Sequence, residues 1–233
     1  MKLTKIQIEE LYKFTRKHYV EYYDVQTELV DHLANDIESI CKENPSLSFE
    51  EARDISFKKF GVFGFMDVVQ SKESQMTKKY FKLILKFMKE WFQLPKIALT
   101  FGLLFVFYEI QSLENAYEIY LSVIFGVFII QLITVLLNRK KQQKKQQITK
   151  RRWLFESIIQ TQGFGSIGLF AFYTVEFLLP NSSIAFSEMG LFRSVLSVFV
   201  ITFFIIMSYI SIVVIPKKAT ELLAETYPEF KLS

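Results

Sequence analysis

Four long apolar runs fill the second half of the chain, at about residues 94–110, 116–137, 153–179 and 191–215, whereas the first 75 residues place apolar side chains only at helical spacing. Each run is long enough for a hydrocarbon core that needs roughly 17 to 25 helical residues, so the pattern predicts four membrane spans. In the first part, Thr4 with Gln7 forms a capping box beside Ile6, Leu11 and Phe14, predicting a helix to about His18. Asp24 is placed to cap a second helix, in which Val25, Leu29, Leu33, Ile37 and Ile40 recur every three or four residues up to Asn44-Pro45. Ser48 and Glu51 make another capping box for a helix carrying Phe49, Ala52, Ile55 and Phe60, and Gly61 supplies its stop. A fourth helix is expected from near Phe65. Nothing in this part alternates with period two, so the expected fold is all-α: a small cytosolic helical domain (1–75), an amphipathic juxtamembrane helix (76–93), a four-helix transmembrane bundle (94–215) and a cytosolic tail (216–233). Leu29, Leu33, Ile55 and Phe60 are the expected core of the head.

Charge orients this arrangement. Between the second and third runs, Lys or Arg stands at 139, 140, 141, 144, 145, 150, 151 and 152, while none occurs from 97 to 138. The loop between runs one and two offers Glu109, Glu114 and Glu118 instead, and the loop between runs three and four offers Glu188. By the positive-inside rule, the basic loop, the Lys-rich approach to the first run and Lys217-Lys218 are cytoplasmic, which puts both termini inside a multi-pass cell (inner) membrane protein. Residues 1–75 hold 10 basic and 14 acidic side chains and residues 76–233 hold 18 and 10, so the basic excess belongs to the membrane half. It hugs the ends of the runs, where anionic lipid headgroups attract it, and argues against a nucleic-acid surface. The first ten residues lack the apolar core and small-residue cleavage site of a signal peptide, and the single cysteine, Cys41, has no intrachain partner; both fit a head that stays in the cytosol.

The stretches Glu28-Leu29-Val30-Asp31-His32-Leu33, Ser48-Phe49-Glu50-Glu51-Ala52-Arg53 and Lys59-Phe60-Gly61 together resemble the permease prefix domain, a small helical module related to the HAAS-type signalling domain of bacterial membrane proteins. The resemblance covers about residues 5–75. It implies a cytosolic regulatory or interaction module attached to a membrane domain, with a cytosolic regulator or a membrane permease as its partner. Two departures stand out: the usual Gly-Asp-Pro after the third helix is Gly61-Val62-Phe63-Gly64 here, and no large permease domain follows.

Candidate chemistry is sparse. Glu28, Asp31, His32 and Asp36 stand at i, i+3, i+4 and i+8, gathering three carboxylates around an imidazole on one helical face. With only two histidines in the chain and one helix unable to complete a coordination shell, this face reads as solvated or partner-binding, and no metal is expected. Gly163-Phe164-Gly165-Ser166-Ile167-Gly168 matches the dinucleotide fingerprint by letter but lies inside an apolar run with no preceding strand, so no cofactor is expected either. Ser157, Thr161 and Gly165 recur every four residues as a stripe for close helix approach, with Ser122 and Gly126 as a matching pair on the second run. Gln131 and Thr134 in the second run, with Glu156, Gln160 and Gln162 in the third, either bond across helices or line a polar path. Glu176 and Arg193, at similar depth on successive runs, are an expected ion pair. Phe81, Ile84, Leu85, Met88 and Phe92 share one face of a helix whose Lys82, Lys86 and Lys89 share another, as in a helix lying among headgroups, and Trp91 and Trp153 suit an interfacial aromatic belt.

The sequence holds no nucleophile paired with a base, no phosphate loop, no zinc signature and no cysteine pair. The expectation is therefore a non-catalytic membrane protein whose head is a regulatory or interaction module; the alternative is a small transport component using the region of Gln131, Glu156 and Gln160. The orientation has a direct test in intact cells, with Cys41 replaced and an impermeant thiol reagent outside. Asn115→Cys is expected to react and Gln143→Cys to be protected; the reverse pattern would overturn the topology.

Overall fold

The computed structural model describes residues 2–149, 151–160, 173, 179 and 186–227. Every regular element among them is helical: α1 (Lys5–Lys17), α2 (Tyr23–Glu43), α3 (Phe49–Lys58), α4 (Met66–Trp91), α5 (Lys96–Ile110), α6 (Ala116–Thr149), α7 (described over 154–160), a 3-10 turn (Phe186–Glu188), α8 (Leu191–Tyr209), a π-helical turn (Ile210–Val214), α9 (Ile215–Lys217) and α10 (Ala219–Thr226). The chain divides into two compact units, Met1–Lys78 with Ile148–Ser157, and Lys79–Gln147 with Ile158–Ser233.

In the first unit both capping boxes form as the sequence predicts. Thr4 Oγ1 accepts from the Gln7 amide and Ser48 Oγ from the Glu51 amide, while the side chains of Gln7 and Glu51 reach back to the cap amides. Helix α1 ends in a Schellman arrangement, with the Tyr19 amide donating to Arg16 O and the Val20 amide to Thr15 O. Tyr19 sits at φ 64, the left-handed position usually taken by glycine, and Val20 beyond it is buried. Asp24 does not cap α2. The N-cap is Tyr22 with no side-chain bond, and the Asp24 carboxylate lies in the first turn, where its charge suits the positive helix end.

Leu11, Val25, Leu29, Val30, Leu33, Ile37, Ala52 and Phe65 form the buried interior of this unit. Ile55 departs from expectation: it is 40 % exposed, because α3 turns Ala52 and Ser56 inward. Those two are four residues apart and share a face, and position 55 is rotated about 100° away from Ser56. Phe60 is half-buried beyond the helix end. An aromatic cluster ties α1, α3 and the start of α4 together. His18 packs 4.5 Å from Phe14 and 4.4 Å from Phe57, and Phe65 packs 4.8 Å from Phe57 and 4.9 Å from Phe60, centroid to centroid. Burial, helped by the Lys17 and Arg53 charges, lowers the His18 pKa below its ordinary 6.5. Gly64, at φ +55, faces this cluster so closely that a Cβ would stand 3.0 Å from the Phe57 ring.

In the second unit, Pro95 follows the end of α4, and α4 and α5 are bent by 89° at the break. With 15 residues α5 is about 22 Å long, short of a hydrocarbon core of about 30 Å. Ala116–Thr149 and Leu191–Lys217 are long and apolar enough to cross a membrane, and the bent α4–α5 pair is a third candidate if it counts as one broken span. The segment 138–149, expected as a loop, continues α6 as helix: Lys, Arg and Gln are good helix formers and no Gly or Pro interrupts them. Helix α6 is thus about 51 Å long, so its basic end projects well past any apolar layer. Its buried face is Ala116, Tyr120, Ile124 and Gln131. Ser122 is exposed and a Cβ at Gly126 would meet nothing within 4 Å among the described residues, while Thr161 and Gly165, expected opposite them, lie outside the described residues. Trp91 and Trp153 are each at most 9 % exposed, their rings packed on protein rather than displayed as a belt. The π-helical turn ends just before Pro216, whose ring has no amide to donate and would crowd the carbonyl of Ile212 in a regular helix.

The contrast between Leu33 and Ile55 is testable by thermal or denaturant unfolding of the head. Leu33→Ala, emptying a fully buried site, is expected to cost about 2 to 5 kcal/mol. Ile55→Ala is expected to stay within about 1 kcal/mol, and equal effects would show the α3 register to be wrong.

Candidate interaction groove on the head and polar positions among the apolar helices

The four residues singled out on α2 do not act as one face. Glu28, His32 and Asp36, at i, i+4 and i+8, line an open groove of about 440 Å³ together with Leu29, Ser56, Lys59, Phe60 and Val68. Asp31 lies outside this lining, with its charge felt by Tyr12, whose pKa is raised chiefly by burial and further by Tyr23 and Asp31. The groove walls are already partly neutralised. Lys59 Nζ donates to Asp36 Oδ1 at 2.6 Å, and Lys72 Nζ lies 2.7 Å from Glu28 Oε2. Burial works to raise the Asp36 pKa, but the hydrogen bond from Lys59 and its charge, with the nearby Ser56 hydroxyl, outweigh it, and the net shift is downward. Asp36 is therefore a carboxylate at neutral pH. What the groove presents is an apolar floor of Leu29, Phe60 and Val68, two internal ion pairs and the exposed imidazole of His32. Among the described residues no group of three His, Cys, Asp or Glu is placed to hold a metal ion.

A second feature of this unit was not legible in the sequence. The segment 151–157 docks on the α1–α2 junction although about 130 residues separate the two in the chain. The Tyr23 amide donates to Arg152 O at 2.7 Å, and Asp24 Oδ1 accepts from the Leu154 amide at 3.1 Å, so the predicted cap of α2 serves the start of α7 instead. Arg152 pairs with Glu21 and lies 4.9 Å over the Tyr22 ring; Arg151 lies 4.5 Å over Tyr23, and Trp153 meets Tyr23 edge-on at 5.4 Å. The three-residue run Tyr22-Tyr23-Asp24 was the only available signal, and a purely helical reading absorbs it. Ser157 is buried here, with Arg152 Nη2 3.5 Å from its hydroxyl, and Glu156 is half-buried.

In the second unit, Gln131 and Gln160, two of the polar residues noted in the second and third runs, lie at one cavity of about 20 Å³, with Thr134, Asn138, Ser211 and Pro216 among their neighbours. Such a volume is that of one water molecule. The side-chain oxygen of Gln160 is buried with no hydrogen-bond partner among the described residues, and Thr134 Oγ1 donates to Ile130 O, its own helix. Thr161, Gln162, Gly165 and Glu176, and the Gly-x-Gly-x-x-Gly stretch, lie outside the described residues. Arg193 Nη2 donates to Leu179 O at 2.8 Å.

A stronger polar node was missed. Tyr120, fully buried on α6, donates its hydroxyl to Phe107 O on α5 at 2.8 Å. Gln111 Nε2 lies 3.1 Å from Tyr120 Oη, 2.8 Å from Ser197 Oγ and 3.0 Å from Ser194 O on α8. One amide and one phenol thus join α5, α6 and α8 around the core of Phe107, Ile124, Ile201 and Phe204. Elsewhere the buried Tyr80 Oη and Ser211 Oγ are 2.8 Å apart, and Trp91 Nε1 donates to Thr100 Oγ1 at 3.1 Å.

Compared with known proteins, the chain matches no family model, no curated protein and no solved structure. The resemblance of residues 5–75 to the permease prefix module accordingly rests on the quoted residues.

Tyr120→Phe removes one hydroxyl without changing shape and takes the donor from the Phe107 carbonyl, while Gln111 keeps Ser194 O and Ser197 Oγ as acceptors. It is expected to cost about 0.5 to 2 kcal/mol in detergent, read as a lowered melting temperature. An unchanged melting temperature would mean the node is not formed in solution.

Proposed function

We propose that this is a non-catalytic, multi-pass membrane protein, with four spans and both termini cytoplasmic, whose helical head is a regulatory or protein-interaction module. The observation that carries this reading is the groove between α2, α3 and the start of α4. It combines an apolar floor with charges already balanced by Lys59 and Lys72, so a partner can cover it without burying an unpaired charge. The resemblance to the prefix module points the same way and suggests a cytosolic regulator or a membrane permease as the occupant. Structural complementation of the acidic face does not require a basic partner, because two of its three carboxylates find lysines within the head. The apolar helices, their basic flanks and the amphipathic α4 support location in a cell (inner) membrane.

The alternative, a small transport component, draws on the cluster of Gln131, Asn138, Gln160 and Ser211 beside the π-helical turn. A cavity of about 20 Å³ admits nothing larger than water. That size favours hydrogen bonding between helices over a solute path.

A photo-crosslinking residue placed at His32, in the groove, is expected to capture a discrete protein in cells, and the same residue at Asn35, exposed on α2 but outside the groove, is not. Lys59→Glu, which sets like charges against Asp36, is expected to abolish the adduct. Identical patterns from the two positions, or no adduct from either, would remove the head from consideration as a docking module; flux through the purified protein would favour the alternative.

A further inference from the structure

The second half of α4 divides into three sectors that the sequence pattern merged into two. Taking Phe81 as the origin and about 100° per residue, the buried residues Tyr80, Ile84, Phe87, Met88 and Trp91 fall between about −120° and −20°. Leu85 and Phe92 fall with Phe81 between about 0° and 40°, and Lys82, Lys86 and Lys89 between about 80° and 140°. Ile84 and Met88, expected on the lipid-facing side, are consumed by packing within the unit. What remains outside is a narrow apolar stripe, Phe81 (39 % exposed), Leu85 (69 %) and Phe92 (46 %), running directly beside a row of lysines. The only acid in this half of the helix, Glu90, lies at about 180°, on the far side of the lysine row.

The cationic strip extends onto the C-terminal segment. Lys218 Nζ lies 4.9 Å and Lys86 Nζ 6.0 Å from the centroid of the same Phe87 ring. Among the described residues, Lys82, Lys86, Lys89, Lys217 and Lys218 have no carboxylate within ion-pairing distance. Three lysines bordering an exposed apolar stripe, with Lys217 and Lys218 adding charge in the same unit and no counter-charge to any of the five among the described residues, have the complement of a layer that is apolar on one side and anionic on the other.

We propose that this face of α4, with Lys217 and Lys218, is a binding surface selective for anionic phospholipid. Acyl chains cover Phe81, Leu85 and Phe92, and headgroup phosphates sit along Lys82, Lys86 and Lys89. The proposal rests on the membrane location stated above and adds a lipid class to it. A second copy of the chain is a poorer occupant, since like lysine rows would face each other across a two-fold axis.

The test uses the full-length protein in nanodiscs of phosphatidylcholine mixed with phosphatidylglycerol, with the retained lipids counted by native mass spectrometry. The parent is expected to hold phosphatidylglycerol in excess over the disc composition. Each lysine at an anionic surface is worth about fivefold in affinity, so the triple variant K82Q/K86Q/K89Q is expected to lose at least about tenfold of that preference. The matched variant K82R/K86R/K89R, which keeps the charge, is expected to retain it, separating loss of binding from loss of fold. Retention of the preference in the glutamine variant, its loss in the arginine variant, or dimerisation through this face without lipid preference would overturn the proposal. Failure of the parent to enter the disc would overturn the membrane reading as well, whereas insertion without preference would overturn this proposal alone.

Discussion

The outward faces of α5, α6 and α8 set the constraint on which the rest of the second unit depends. Phe101, Phe105, Ile129, Ile133, Leu137, Phe192 and Phe199 are each at least half exposed, forming a surface that water cannot accommodate at this density. In the lipid that such a surface requires, backbone groups must be satisfied inside helices and inward polar side chains must find one another. The observed polar contacts follow that demand. Gln111, Tyr120 and Ser197 meet where three helices cross, Tyr80 meets Ser211, and Trp91 meets Thr100, so the few polar side chains of this unit fix which helix faces pack together. A leucine-rich interface alone would not, because lipid tails are as apolar as leucine.

The head is held by different physics. Two capping boxes start α1 and α3, an aromatic cluster around His18 and Phe65 joins them to α4, and ion pairs from Lys59 and Lys72 neutralise most of the acidic face of α2. Its unexpected element is the segment 151–157, secured by the Tyr23 amide, the Asp24 carboxylate and stacked Arg151 and Arg152. A basic stretch that the charge pattern assigns to topology thereby also contributes to the folded head. Arg151 and Arg152 contact tyrosine faces, and Arg152 also pairs with Glu21.

These features bear on function through what they leave available. Internal pairing of Glu28 and Asp36 turns an acidic stripe into a nearly neutral groove around His32, a surface suited to a mixed polar and apolar partner. The polar cluster at Gln131 and Gln160, with room for a single water, is suited to joining helices. Placement of the π-helical turn beside it follows from Pro216, which a regular helix would not tolerate four residues after Ile212.

The sequence by itself determined the elements and the apolar layer. Capping residues, three-and-four spacing and run length are local signals, and they located α1, α2 and α3 and the starts of α4, α6 and α8, whereas the C-terminal end of α6 lies twelve residues beyond the apolar run and α4 runs on unbroken through the juxtamembrane segment. Buried Leu29 and Leu33 were equally legible, because a helix puts every fourth residue on one face. Only the tertiary structure decided that α3 buries Ala52 rather than Ile55 and that Asp24 serves the start of α7 instead of α2. It alone brought Gln111 to Ser197, Lys59 to Asp36 and Arg152 to Glu21. Each of these depends on the rotation and approach of elements distant in the chain, and a single helix's periodicity carries no information about the side chain that will stand across from it.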